Sequence, residues 1–446
     1  LSDNDEKIVS PIQVGIALSH GVLPANRPGK LWALVELSAS NQATEEAKAV
    51  SDKSDSRLPL NINVVLDRSG SMGGQPVEQV KQATQFLVEQ IGANDVLSIT
   101  VFNHKVDVAL PSQKVTNKDL VKGAIDSIWP GGSTNLSGGL LRGYEEALKE
   151  CRPGQVNRVL LLTDGMANVG VTNPAALSAK ARAMLEQGVS LSTVGVGLSF
   201  DEDLLIALAE AGGGAYYYIK DADEIPNVFS AELKGLLSVV AQGITLTVDG
   251  LSGCKITGVI GYKPSSVGHG ASLALPDMFR DEVKRLAIGI DYPALPEGEH
   301  PVLHVALSYT DALHNLAHTT LEVTAKLAAI RGAAEPQEPN FDVIKTVELI
   351  QTAVAKDESA KAMDKGDYKE ARAILENRID TLQNLSAAEP MACRAISEEI
   401  DTLRKLTKEI SKTTPRHTLS ETRKNMRSQS YQIRHSQSDY GSKKDR

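Results

Sequence analysis

Between about residues 58 and 240, short apolar runs alternate with stretches of helical period, and this alternation constrains the fold more than any other feature of the chain. Strands are expected over 62–66, 96–102, 159–162 and 191–196, with a short one near 216–219 and an extra edge strand over 105–110. Helices are expected over 77–91, 117–128, 136–150, 174–187, 201–211 and 224–239, where apolar residues recur as in Val80, Ala83, Leu87 and Ile91. Mostly apolar runs of this kind need cover on both faces. The pattern therefore predicts an α/β fold, a doubly wound and mainly parallel Rossmann-like sheet. A sheet of that kind gathers its functional groups in the loops at the carboxyl ends of its strands.

Three of those loops carry hydroxyls and carboxylates. Asp67, Ser69 and Ser71 lie in Asp-Arg-Ser-Gly-Ser-Met directly after the first run. Thr134 lies in Gly-Gly-Ser-Thr-Asn-Leu, which opens the helical stripe Leu136, Leu140, Tyr144 and Ala147. Asp164 closes Val-Leu-Leu-Leu-Thr-Asp-Gly. Taken alone, the first three are ordinary turn chemistry, since Asp and Ser hydrogen-bond their own backbone and cap helices. With the other two they form a hard-oxygen set suited to Mg²⁺ or Mn²⁺.

The five residues together resemble the metal-ion-dependent adhesion site of von Willebrand factor type A domains, of the bacterial intracellular type. The resemblance covers 58–240, roughly two-fifths of the chain. The hydroxyls of Ser69 and Ser71 are neutral donors able to meet a cation directly, and Thr134 offers a third, direct or through water. The resemblance implies that Asp67 and Asp164 act through bound waters. It also implies Mg²⁺ as the ion, with Mn²⁺ or Ca²⁺ as alternatives. A shell of mostly neutral protein ligands leaves such an ion electrophilic, so its expected partner is a protein offering an Asp or Glu carboxylate. Arg68 fills a variable position of the motif.

Composition narrows the remaining classes. A chain of 446 residues accommodates about two to three domains. A net charge of −9 argues against nucleic acid as the partner of the main body. Cys151, Cys254 and Cys393 are far apart with no C-x-x-C, so neither a disulfide framework nor a zinc site is expected. No apolar stretch approaches the ~20 residues of a membrane span. The first residues lack the basic and apolar regions of a signal peptide, although the chain does not begin with Met. A cytoplasmic protein is the expectation.

The flanking segments read as follows. Residues 1–57 hold two short strands, 12–18 and 31–37, and a polar linker from 41. Residues 241–330 carry β-rich runs over 244–248, 254–260, 283–290, 300–309 and 319–327, which predict an antiparallel β-sandwich. The N-terminal strands have no other sheet to join, so the α/β domain (58–240) is expected as an insertion in this sandwich or flanked by it. The resemblance agrees, since bacterial-type relatives share that arrangement. Residues 340–412 read as three helices, with core stripes such as Val343, Val347 and Ile350, packed on the β-domain. Residues 413–446 hold eight Lys/Arg against three Asp/Glu and six serines, so disorder is expected there. The alternative is an arm that docks on an acidic partner or carries phosphate, hinted at by the loose repeat of Arg427-Ser-Gln-Ser and Arg434-His-Ser-Gln-Ser.

The leading expectation is a non-enzymatic interaction protein. Two other classes stand beside it: a metal-dependent phosphohydrolase, and an accessory subunit of an AAA+ ATPase assembly of MoxR or chelatase type. A fourth reading gives the metal a purely structural role. The loop at Gly131 lacks the Lys of a phosphate-binding P-loop, and no G-x-S-x-G elbow occurs. His104 is expected at the surface or as a cap, and His304, His314 and His318 as strand or surface residues. Trp129, next to the Thr134 loop, is expected under the site or in the partner contact.

Overall fold

The computed structural model describes residues 10–39, 57–262, 264, 269–314, 316–388, 393–411 and 413–435. The chain opens with strands β1 (Ile12–Leu18), β2 (His20–Pro24) and β3 (Gly29–Ala39). It then enters a six-stranded sheet built from β4 (Leu60–Asp67), β5 (Val96–Phe102), β6 (Val106–Lys114), β7 (Val156–Thr163), β8 (Ser190–Val196) and β9 (Gly213–Ile219). Their order is β6-β5-β4-β7-β8-β9, and all neighbours are parallel except β6, which runs against β5. The antiparallel edge strand is longer than the apolar pattern suggested, because its last residues are polar and lie on the open edge. Similarly, β9 begins at Gly213, ahead of the expected start, since Gly-Gly-Ala carries no strand signal of its own.

Helices α1 (Gln75–Gln90), α2 (Lys118–Asp126), α3 (Leu136–Lys149), α4 (Pro174–Glu186), α5 (Glu202–Ala211) and α6 (Ile225–Leu236) cover the sheet. Val64 and Leu66 of β4 face one core with Val80, Leu87 and Phe229, while Val65 faces the other with Leu140, Tyr144 and Leu204. That alternation is the period of two expected for a strand buried on both sides. Glycine is required where α1 begins, since Gly74 takes φ 86° ahead of Pro76 in the first turn.

From α6 the chain passes into β10 (Val239–Gly250), β11 (Lys255–Val259), β12 (Gly270–Leu275), β13 (Met278–Phe279), β14 (Val283–Tyr292), β15 (Gly298–Asp311), β16 (His318–Ile330) and β17 (Gln337–Pro339). Two sheets result, β1-β3-β14-β11 and β12-β10-β15-β16-β2-β17, with β13 added on β10. Leu31, Val35 and Ile288 of the first share one core with Leu246, Val305 and Leu307 of the second. The α/β domain therefore lies in the chain between two strands of a sandwich, β3 and β10, one from each sheet. Arg158 near the start of β7 is 2 % exposed and donates to Asp277 beside β13 at 3.3 Å, which ties the two domains at that end.

Four helices follow: α7 (Phe341–Asp364), α8 (Tyr368–Ala388), α9 (Cys393–Glu409) and α10 (Arg416–Arg434). Asn340 caps α7, and Val343, Val347 and Ile350 pack on Leu34 and Ala287 of the sandwich. Leu375, Leu382, Ile396 and Leu403 close the helical core.

The basic tail departs from the expectation of disorder. Residues 416–434 are helical and packed, with Lys424, Arg427 and Tyr431 buried. The acidic surface that takes the positive charges belongs to this same chain. Glu202 receives Lys424 Nζ at 2.5 Å and Arg427 at 2.7 Å, and Asp364 receives Arg427 at 2.6 Å and Arg423 at 2.7 Å. Tyr431 meets Tyr216 edge-on at 5.5 Å and donates to the Gly214 carbonyl at 3.2 Å, and Arg434 reaches the Gly261 carbonyl at 3.0 Å. The helix thus bridges the α/β domain, the helical region and the sandwich. Composition alone reads such charges as solvated, because their partners lie 222 residues away in sequence at Glu202 and 63 at Asp364. Most of the polar linker (40–56) and the end of the loose serine repeat (436–446) lie outside the described residues.

No helix among the described residues is long and apolar enough to cross a membrane. Cys151 and Cys254 are free thiols.

Candidate functional site

The turn after β4 is shaped by its own side chains. Asp67 accepts the Ser69 amide at 2.7 Å, and a short 3₁₀ turn, Gly70–Met72, then carries Ser71 outward. Gly70 N donates to Gly132 O at 3.0 Å and Gly131 N to Arg68 O at 2.8 Å, so the turn is stitched to the loop that carries Thr134. That loop is pinned in turn by Asn103, whose amide donates to the Gly131 carbonyl at 2.5 Å, and by Asn135, which caps α3. The third loop joins through Asn168, whose side chain accepts from Thr134 N at 3.1 Å.

These contacts bring the five expected residues together. Ser69 Oγ and Ser71 Oγ are 3.2 Å apart, and Ser71 Oγ donates to Asp164 Oδ1 at 2.8 Å. A methyl group on Gly165 would stand 3.1 Å from Thr134 Oγ1 and 3.7 Å from Asp67 Oδ2, which places both oxygens within 4 Å of one point. Asp67, Ser69 and Thr134 are buried, Asp164 is half-buried and Ser71 is exposed, so the cluster opens to solvent on the Ser71 side.

The electrostatics of this set fit a divalent cation. Burial pushes the Asp164 carboxyl up to about 6; the hydrogen bond from Ser71 opposes the rise, and the nearby Asp67 charge adds to it. Burial also raises Asp67, against hydrogen bonds from Thr163 and Ser69. Two carboxylates drawn into one partly desolvated site, with three hydroxyls around them, form a donor set that a hard cation satisfies. The described residues contain no cluster of three or more His, Cys, Asp or Glu suited to a metal, so any ion held here rests on hydroxyls as much as on acids.

Sequence reasoning missed Thr163, Asn103 and Asn168. Thr163 Oγ1 donates to Asp67 Oδ2 at 2.5 Å and so fixes that carboxylate. A signal for it existed, since Thr163 is polar directly after the fully apolar run 159–162. The two asparagines act through backbone contacts made only in the folded chain. His104 is exposed and lies beside Gly132. Trp129 is 73 % exposed and does not pack under the site. His304 faces Glu322, His314 pairs with Asp311 at 2.9 Å, and His318 meets Ser308 at 3.1 Å; these are local contacts of the sandwich.

Comparison with known proteins agrees with this architecture. The von Willebrand factor type A domain model matches residues 61–231. The uncharacterised protein YfbK of Escherichia coli is 33 % identical over 201 residues, which cover 44 % of this chain and 35 % of that protein. The chain thus spans about a third of that relative's length. An uncharacterised protein of Synechocystis sp. is 26 % identical over 383 residues, covering 83 % of this chain and 87 % of that one. Among solved structures, the von Willebrand factor type A protein from Catenulispora acidiphila superposes with a TM-score of 0.71 at 16 % identity, over 96 % of this chain and 98 % of that one, and supports the fold alone. Residues 61–231 thus form a von Willebrand factor type A domain, which lies in the chain between two strands of a β-sandwich.

Proposed function

We propose that the A domain is a metal-dependent binding module that captures a carboxylate of a partner protein. Ser69, Ser71 and Thr134 would hold Mg²⁺ through their hydroxyls, with Asp67 and Asp164 supplying the balancing charge. The ion contributes Lewis-acid attraction for an anionic oxygen, with Mn²⁺ or Ca²⁺ as substitutes of the same hard class. The protein's own part is to hold the oxygens in place. Thr163 and the Ser69 amide orient Asp67, Ser71 orients Asp164, and the Asn103 and Asn168 contacts hold the Thr134 loop against both. The supporting observation is the convergence of three loops on one opening, linked by the hydrogen-bond chain Asp67–Ser69–Ser71–Asp164 that runs from the buried side to the exposed one.

Binding rather than catalysis is favoured by the state of the two acids. Both already accept hydrogen bonds that fix them, Asp67 from Ser69 and Thr163 and Asp164 from Ser71, which is the role of an orienting group rather than of a free general base. Cys151 and Cys254 as thiols suit a reducing, cytoplasmic setting. Calorimetric titration of the chain with MgCl₂ tests the core of this reading. Wild type should bind one equivalent, and Asp67→Ala and Ser71→Ala should bind none while melting near the wild-type temperature. Metal uptake unchanged in Asp67→Ala would refute it.

A further inference from the structure

The apolar side chains left in solvent are unevenly placed. Of the seven large ones exposed among the described residues, four sit in the two loops that supply Thr134 and Asp164: Trp129, Met166, Val169 and Val171. Trp129 is 73 % and Met166 58 % exposed. Neither side chain is loosely attached to the site. Lys81 Nζ lies 5.3 Å from the Trp129 ring centroid and itself donates to the Asp126 carbonyl at 3.3 Å, so the ring is oriented while its surface stays open. Pro130, the next residue, lies against Gly73, where a methyl group would stand 3.9 Å from its Cγ, two residues from Ser71. On the other side, Val169 N donates to Thr134 O at 3.3 Å, so the strip carrying Met166 and Val169 is fastened to the Thr134 loop. The two loops that supply Thr134 and Asp164 therefore carry a held aromatic ring on one and a flexible thioether with branched aliphatics on the other, all left in solvent.

A metal site alone accepts any acid, because a carboxylate on a flexible chain end satisfies the ion as well as one in a protein. Exposed Trp and Met beside it add what the ion lacks, namely contact area for neutral neighbours of that acid. Tryptophan concentrates binding energy at interfaces, and methionine adapts its shape to varied partners. Large apolar groups gathered on one face mark a contact surface. We propose that this rim makes the site selective for a protein segment in which an Asp or Glu stands next to large apolar residues, and that Trp129 and Met166 read those neighbours. The proposal rests on the metal-dependent reading above and extends it to the class of partner.

A displayed library of short peptides with glutamate fixed at the centre and random flanks tests it, selected on the full chain in Mg²⁺ and eluted with EDTA. The expected EDTA-released clones carry Leu, Phe, Trp or Met within two positions of the glutamate. A peptide made from such a clone should bind Trp129→Ser roughly tenfold or more weakly. The exposed position of Trp129 leaves the fold of that variant intact, and its unchanged Mg²⁺ titration shows that the metal site is untouched. EDTA-released clones with unbiased flanks, or equal binding to Trp129→Ser, would overturn the rim's role and leave metal-dependent capture standing. Clones retained equally in EDTA and by Asp67→Ala would overturn the underlying reading as well.

Discussion

Replacing Glu202 by Gln isolates the clasp between α10 and the A domain. The carboxylate is buried and takes Lys424 at 2.5 Å, Arg427 at 2.7 Å and Arg423 at 2.9 Å. The amide keeps the volume and one acceptor but removes the negative charge. Arg427 retains Asp364 and Asp203, whereas Lys424, with its side chain fully buried, retains only the Phe200 carbonyl at 2.8 Å and the face of the Phe200 ring. Removing one member of a buried ion pair costs about 3–5 kcal/mol because it strands the other. At about 1.4 kcal/mol per factor of ten, that corresponds to roughly a hundredfold to several thousandfold greater opening of α10. Native-state hydrogen exchange at the amides of 416–434 reads that opening directly, and trypsin cleavage at Arg423, Lys424 and Arg427 reads it independently. A second variant guards the argument: Lys424→Met in the Glu202→Gln background removes the stranded charge and should restore most of the protection. Less than a tenfold change in exchange for Glu202→Gln, or no recovery in the double variant, would refute the assignment of this pair as the clasp.

Acid should open the same contact. Burial raises the Glu202 carboxyl, but Lys424 and then Arg423 more than reverse this, so it sits below its ordinary 4.5. A depressed carboxylate contributes stability that is complete above the unfolded value and is lost as pH falls through the folded one; protection of α10 should therefore hold at neutral pH and decline as pH falls below that ordinary 4.5. Tyr431→Ala removes a ring that is 1 % exposed in the A-domain core and should destabilise by about 3–5 kcal/mol in urea melts. Saturating Mg²⁺ at about a hundred times its Kd should stabilise the wild type by about 2.7 kcal/mol in a thermal melt and leave Ser71→Ala unmoved. Gly165→Ala places a methyl 3.1 Å from Thr134 Oγ1 and should weaken Mg²⁺ binding in a calorimetric titration with little change in melting temperature.

The A domain was legible because its signals are local. Strands such as Leu60–Asp67 are buried at every position, so they appear as mostly apolar runs in which the few polar residues, Asn61 and Asn63, are buried too, and the helices between them keep their stripes. Asp67, Ser69, Ser71 and Asp164 were legible for the same reason, since each ends or follows such a run, and Thr134 because it opens the stripe of Leu136, Leu140, Tyr144 and Ala147. The contacts that hold the site were not. Asn103 and Asn168 act on the backbone of residues 28 and 34 positions away, and nothing in their own neighbourhoods marks them. β12 escaped because its outer positions are small residues, Gly270, Ser272 and Ala274, which contrast weakly in hydropathy with the buried Ala271, Leu273 and Leu275. The clearest failure was α10. Its charges point inward to Glu202 and Asp364, a pairing between distant segments, whereas a composition count assigns them to water.

The placement of the A domain between β3 and β10 has a mechanical consequence. β4 enters and α6 leaves at the end of the sheet opposite Asp67, about 23 Å away along an eight-residue strand. Any pull applied at Ser69, Ser71 and Thr134 would thus be handed to the sandwich along two covalent leads that bear load side by side, with α10 acting as a third, breakable stay. Tension of that kind shears the parallel ladder along its length instead of unzipping it from an edge, the arrangement in which many hydrogen bonds must rupture at once.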